Sequence, residues 1–192
     1  IEEMNRLGMI VDLSHAGKQT CLDAIEVSNK PVAISHANPN FFHKSKRNID
    51  TDILQKLVKK NGFIGLSLYP YHLKNLGDCT IEDFCEMIKE LVNLIGEDNI
   101  GIGSDLCLNW PDDVVMWMRN GKWTKNIDYG ESKDKNPKWP KLPSWYKQPS
   151  DLNNFFYLMC ENNIPEKVST KIIGQNWFLS LIHISEPTRH CT

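Results

Sequence analysis

No stretch of this chain approaches the roughly 20 apolar residues that a membrane-spanning helix needs, so no span is expected within it. An excess of positive charge is missing too: 22 Lys and Arg against 24 Asp and Glu leave a formal net charge of −2. That balance provides no basic footprint for nucleic acid or an anionic membrane surface. None of the 6 cysteines stands in a CxxC pair, and their spacing matches neither a zinc ribbon nor a disulfide framework. Scattered single thiols of this kind read as reduced and half-buried, and lean towards a cytoplasmic compartment. No signal peptide is visible. The chain begins at Ile1, without an initiator Met and within a helical stretch, and is expected to continue upstream.

What is present is ordinary for a globular protein: 192 residues, 41% hydrophobic and 24% charged, enough to bury one good-sized core. Four short apolar runs stand out, at residues 8–13, 32–35, 63–67 and 100–104. They are β-branched and nearly continuous in apolar character, as strands buried on both faces of a parallel sheet are. Helix-like segments separate them. Residues 18–28 form the first. Asp50, Thr51 or Asp52 can cap a second that runs to Lys60, with Asn61 and Gly62 as its stop. Thr80, followed three residues later by Asp83, opens a third that Gly96 ends. Two more helices are expected at residues 150–161 and 165–177.

Alternating strands and helices indicate βα units, hence an α/β barrel or a doubly wound sheet. Four units are too few for a closed eight-stranded barrel of about 250 residues. The chain therefore reads as half of a barrel or as an open sheet. Residues 107–149 read as a long, irregular and exposed loop, rich in Trp, of the kind that is functional or disordered.

Three of the four runs end in a side chain able to bind metal: His15, His36 and Asp105. Strand C-termini are where the catalytic groups of a barrel converge, and imidazole with carboxylate suits zinc and similar divalent ions. One such His would more often be structural, but three residues at equivalent positions favour a site. His43 and His72 lie in loops without that register and are expected at the surface. Asp12, inside the first run, is either a buried partner of a ligand or a structural residue. Arg47 is either a solvated charge or a clamp for a substrate carboxylate, which its planar fork suits.

Several segments together resemble the membrane (renal-type) dipeptidase family. Residues 8–15 (GMIVDLSH) and 31–36 (PVAISH) resemble its two metal-histidine strands. Arg47-Asn48 resembles its Arg-Asn pair, residues 100–105 (IGIGSD) its Gly-Ser-Asp strand end, and residues 174–177 (GQNW) its closing Gly-Glu-Asn-aromatic signature. The resemblance runs from the first residues to about Phe178. It implies the C-terminal half of a (β/α)8 TIM barrel carrying a two-zinc site that activates water for attack on a dipeptide. It further implies that His15 and His36 ligate one zinc and that Asp105 ligates the other and carries the proton of the attacking water. Arg47 would hold the terminal carboxylate of the substrate.

The family's His-x-Asp pair, its metal-bridging Glu and a further carbonyl-polarising His have no counterpart here and would lie upstream of Ile1. The chain also departs from the family after Asp105, with Leu106-Cys107-Leu108-Asn109 in place of Phe-Asp-Gly. The resemblance implies a dipeptide as partner and leaves a homodimer open. Other readings are a metal hydrolase of the same type acting on a lactone or cyclic amide, and a non-catalytic binding relative. Residues 179–192 do not resemble the family. They resemble an in-frame translation of a sequencing adapter and are expected to be non-native.

Overall fold

A computed structural model describes residues 1–120 and 138–185. Three strands, β1 (Ala33–Ala37), β2 (Phe63–Leu66) and β3 (Ile100–Ile102), form a parallel sheet in the order β1-β2-β3. Helices α1 (Glu2–Arg6) and α2 (Lys18–Val27) precede β1. Helices α3 (Thr51–Lys59) and α4 (Ile81–Ile95) make the β1–β2 and β2–β3 crossovers, with α3 packed against both α2 and α4. Every residue of β2 is buried, which is why its sequence shows no alternation.

Local chemistry sets the crossover boundaries. The Thr80 side chain accepts a hydrogen bond from the Asp83 backbone N–H at 3.1 Å, starting α4. Gly96, at φ 83, ends it in a conformation that suits glycine. The apolar stripe between, Phe84, Ile88 and Leu91, is fully buried. At α3 the cap position is Asp50, but its side chain makes no capping bond and is held by Lys18 and Asn40 instead.

The first expected strand, at residues 8–13, reduces to one bridge between Asp12 and Ala33, with Leu13 N–H donating to Ala33 O and Ala33 N–H to Val11 O. Gly8 turns the chain at φ 68 and leaves Met9 and Ile10 exposed, so only residues 11–13 lie along β1. The loop expected at residues 107–149 is interrupted by α5 (Asp112–Asn120). Residues 147–149 are exposed as expected, but Pro143, Trp145 and Tyr146 just before them are buried. Trp145 donates from Nε1 to Cys79 O at 2.9 Å and stacks on Phe155 at 5.5 Å, and Tyr146 is buried beside it. Trp and Tyr pack this way when the polar tip finds an acceptor. The intervening residues 121–137 lie outside the described part.

Helix α6 (Leu152–Glu161) buries Phe155 and Met159. The single helix expected at residues 165–177 is instead α7 (Glu166–Thr170), a π-helical turn (Lys171–Gln175) and α8 (Asn176–Ser185). The wider turn delivers Asn176 and Trp177 onto the sheet. Asn176 Nδ2 donates to Glu97 O at 2.7 Å and Ile100 O at 2.8 Å, and Trp177 Nε1 donates to Ile102 O at 2.8 Å. The indole lies 4.3 Å from the Phe63 ring. A Cβ on Gly101 would come within 2.4 Å of Phe63 and 2.9 Å of Trp177, so only glycine admits this clamp. Residues 186–192 of the expected non-native tail lie outside the described part, while residues 179–185 continue α8.

Candidate metal centre

The candidate site grows out of an irregularity in β1. Ala33 and Ile34 pair with Phe63 and Ile64, but Ala37 pairs with Leu66, so β1 holds one residue more than β2 over the same span. A bulge of this kind re-aims side chains. In a regular pleat Ser35 and His36 would point to opposite faces; here Ser35 Oγ lies 2.8 Å from His36 Nδ1. Space for the bulge comes from Gly103 on β3's trailing end, where a Cβ would fall 1.7 Å from Ser35 O.

His36 Nε2 then lies 3.0 Å from His15 Nε2, with the two rings inclined at 65°. His15 reaches that position from a left-handed backbone, φ 71, and Asp105 follows β3 with φ 53. Positive φ is uncommon outside glycine and gathers at functional sites. Partial burial, the Arg47 charge and the neighbouring His36 push the His15 pKa down, keeping a neutral ring with a lone pair to offer. Burial raises the Asp105 carboxyl above the usual carboxylate range, against the opposing pull of His36, Arg47 and His15. Asp105 thus senses His36, Arg47 and His15, all singled out from the sequence.

Asp12 is exposed, not buried, yet firmly held. It accepts from Ser35 Oγ at 2.5 Å, and from the backbone N–H groups of Ser35 and Ser14 at 3.0 Å each. Desolvation pushes its carboxyl up, but these hydrogen bonds outweigh it and hold the carboxyl below its ordinary value. Ser14 and Ser35 are site residues that pattern reasoning missed. Their signal was position, each immediately preceding a candidate histidine.

Arg47 is half-buried and lines a cavity of about 310 Å³ together with His15, Lys18, Asn40, Ser45 and Lys46. Its loop is anchored by Asn48, whose Nδ2 donates to His43 O at 2.7 Å and His72 O at 3.0 Å. Asn38 Nδ2 donates to the Ser67 and His72 carbonyls, and Asn38 N–H to Asn48 Oδ1. His72 is therefore not a surface residue. It is 3% exposed, with Nδ1 2.7 Å from Ser67 Oγ, and burial pushes its pKa down to about 3. His43 is half-buried.

The donor set fits a metal. Two nitrogens each about 2.0–2.1 Å from a tetrahedral zinc lie about 3.3 Å apart, close to the separation of the His15 and His36 Nε2 atoms. Among the described residues, no set of three or more His, Cys, Asp or Glu converges to form a full cage. His15 and His36 meet, and Asp105 stands near enough to feel both.

The parallel βα order, with imidazole and carboxylate gathered past the strand ends, is that of part of an α/β barrel. The family model described as Membrane dipeptidase (Peptidase family M19) matches residues 1–112, and the chain belongs to that family. Dipeptidase tcpJ of Claviceps purpurea is 31% identical over 141 residues, which cover 67% of this chain and 33% of that protein. An amidohydrolase from Pseudomonas aeruginosa superposes with a TM-score of 0.86 at 30% identity, over 96% of this chain and 55% of its own. The dipeptidase AC, a metallo peptidase, superposes at 0.74 with 21% identity, over 96% of this chain and 47% of its own, which bears on the fold alone. The matches span only 25–33% of the length of the curated relatives.

Proposed function

We propose that the whole protein hydrolyses dipeptides at a metal centre to which this chain contributes His15, His36 and Asp105. The observation that carries this reading is the approach of the two Nε2 atoms to 3.0 Å at the carboxyl end of the sheet. Zinc, two ions per complete site, is the metal proposed, and such an ion supplies Lewis acidity and a water of lowered pKa.

The chain's own groups divide the remaining work. Arg47 offers a planar fork to the terminal carboxylate of a dipeptide from the wall of the cavity. The cavity, about 310 Å³, is of small-molecule size, and Lys46 adds positive charge to its lining, whereas Lys18 is paired with Asp50 and Asp52. Asp105, at the end of β3 beside the two histidines, would take the proton of the attacking water and pass it to the leaving amine. The proposed partner is thus a small peptide with a free carboxylate. Among the described residues no helix is long and apolar enough to cross a membrane.

Residues 179–192 are proposed to be foreign to the protein, a reading that rests on their resemblance to a translated sequencing adapter. Sequencing source DNA across this junction tests it, and an uninterrupted genomic frame refutes it.

The functional test is to recover the complete reading frame and assay it with L-L and L-D dipeptides, a lactone and a cyclic amide. Dipeptide turnover that a chelator abolishes is the expected result, and the 192-residue chain with added zinc should show none. Turnover of only the lactone or cyclic amide would replace the substrate class. Full activity of a His36→Ala variant would remove the proposed centre.

A further inference from the structure

The polar groups behind His36 impose an order on their protons. Ser35 Oγ has one proton and three neighbours: Asp12 Oδ2 at 2.5 Å, His36 Nδ1 at 2.8 Å and Ser14 Oγ at 3.1 Å. A carboxylate only accepts, so the Ser35 proton goes to Asp12. Towards His36, Ser35 Oγ can then only accept, and Nδ1 must carry the hydrogen. Ser14 Oγ accepts the His36 backbone N–H at 3.0 Å, and its own proton has Ser35 Oγ and the Asp12 carboxylate as acceptors. Every donor and acceptor in the chain of contacts is used once this order is adopted. With His36 neutral, the 3.0 Å contact between the two Nε2 atoms then takes its hydrogen from His15.

We propose that Asp12 is a positioning residue that acts through Ser35 to hold His36 as its Nδ1–H tautomer, leaving the Nε2 lone pair facing His15. The proposal rests on the reading of His15 and His36 as a metal-holding pair, since it explains which nitrogen is free to bind. Ring nitrogens that ligate metals are commonly oriented by a carboxylate on the opposite nitrogen. Here a serine hydroxyl stands between the two, and the β1 bulge makes that possible by bringing neighbouring side chains together. Backbone bonds from Ser14 and Ser35 to Asp12 tie the carboxylate to both histidine-bearing segments at once. The same device thus sets ring orientation, tautomer and the spacing of the pair.

The test reads the tautomer directly. The full 192-residue chain is labelled with 15N-histidine, and its ring nitrogens are followed by 15N–1H correlation at pH 8, with His36→Gln to assign the signals. The expected wild-type pattern is a protonated Nδ1 and an unprotonated Nε2 on His36. In Ser35→Ala and Asp12→Ala the proton should move to Nε2, the position free imidazole prefers, while Ser35→Thr should keep the wild-type pattern. Amide spectra establish that each variant is folded.

A protonated Nε2 in the wild type overturns the proposal without any variant, as does an unchanged tautomer in both alanine variants. Zinc competition against a chromophoric chelator, run on the complete reading frame, supplies the second readout, with Ser35→Ala expected to bind about 10–100-fold more weakly. The expected tautomer together with a complete protein that takes up no zinc supports the proton order and refutes the metal reading. The two ideas therefore fail separately.

Discussion

Two regions of the short sheet are built on opposite terms. Beneath β3, Asn176 and Trp177 satisfy backbone carbonyls, and Phe63 closes over the indole. Past the carboxyl ends of the strands, β1 carries a bulge, His15 and Asp105 adopt left-handed backbones, and two ring nitrogens face one another. The first region is packed to hold, whereas the second gathers polar groups on an irregular backbone. Stability and chemistry are thereby assigned to different residues only a few ångströms of strand apart, and substitutions should separate them.

The largest effect is expected at the clamp. Trp177→Ala removes the ring against Phe63 and the donor to Ile102 O, and should cost about 3 kcal/mol in urea denaturation. Zinc uptake by the variant that remains folded should match the wild type. Loss of uptake in step with stability would erase the distinction between the regions.

His72, buried where Ser67, Asn38 and Asn48 meet, should give a graded response. Its folded pKa, about 3, lies below the unfolded value of about 6.5. The neutral ring therefore contributes fully above pH 6.5, and stability falls as the pH drops from there towards 3. The slope from this group is about 1.4 kcal/mol per pH unit within that window. Denaturant midpoints between pH 7.5 and 4.5 should show it, and a His72→Asn variant should have a flatter profile. An equal slope in that variant would assign the acid sensitivity to other groups.

The smallest change tests the strained region. His15→Gly relieves a positive φ and should raise stability by about 1 kcal/mol while removing zinc uptake. A variant that loses both would mean that His15 supports the fold as well as the site.

The parts of the fold legible in the sequence are those with local causes. Phe63, Ile64 and Leu66 announce β2 because both of its faces are covered, and Thr80 and Gly96 mark α4 because caps act within one turn. His15, His36 and Asp105 are legible through their shared position at the ends of apolar runs. The rest depends on partners distant in sequence. The bulge at Ser35 exists because Gly103 makes room for it, and His72 is buried because Ser67, Asn38 and Asn48 meet it there. The run at residues 8–13 reads as a strand by composition, but Gly8 turns it away after a single bridge. The loop expected at residues 107–149 hides its returning end for the same reason, since burial of Trp145 depends on Phe84 and Phe155.

The clamp also has a consequence for the order in which the molecule can assemble. Trp177 closes on Ile102 across 75 residues, and Asn176 on Ile100 across 76. Loop closure over such separations slows folding, and a chain leaving the ribosome offers β3 long before its closing residues exist. During synthesis the sheet must therefore wait with its last strand unsecured. Completion of the fold is timed by the arrival of two side chains near the end of the described chain.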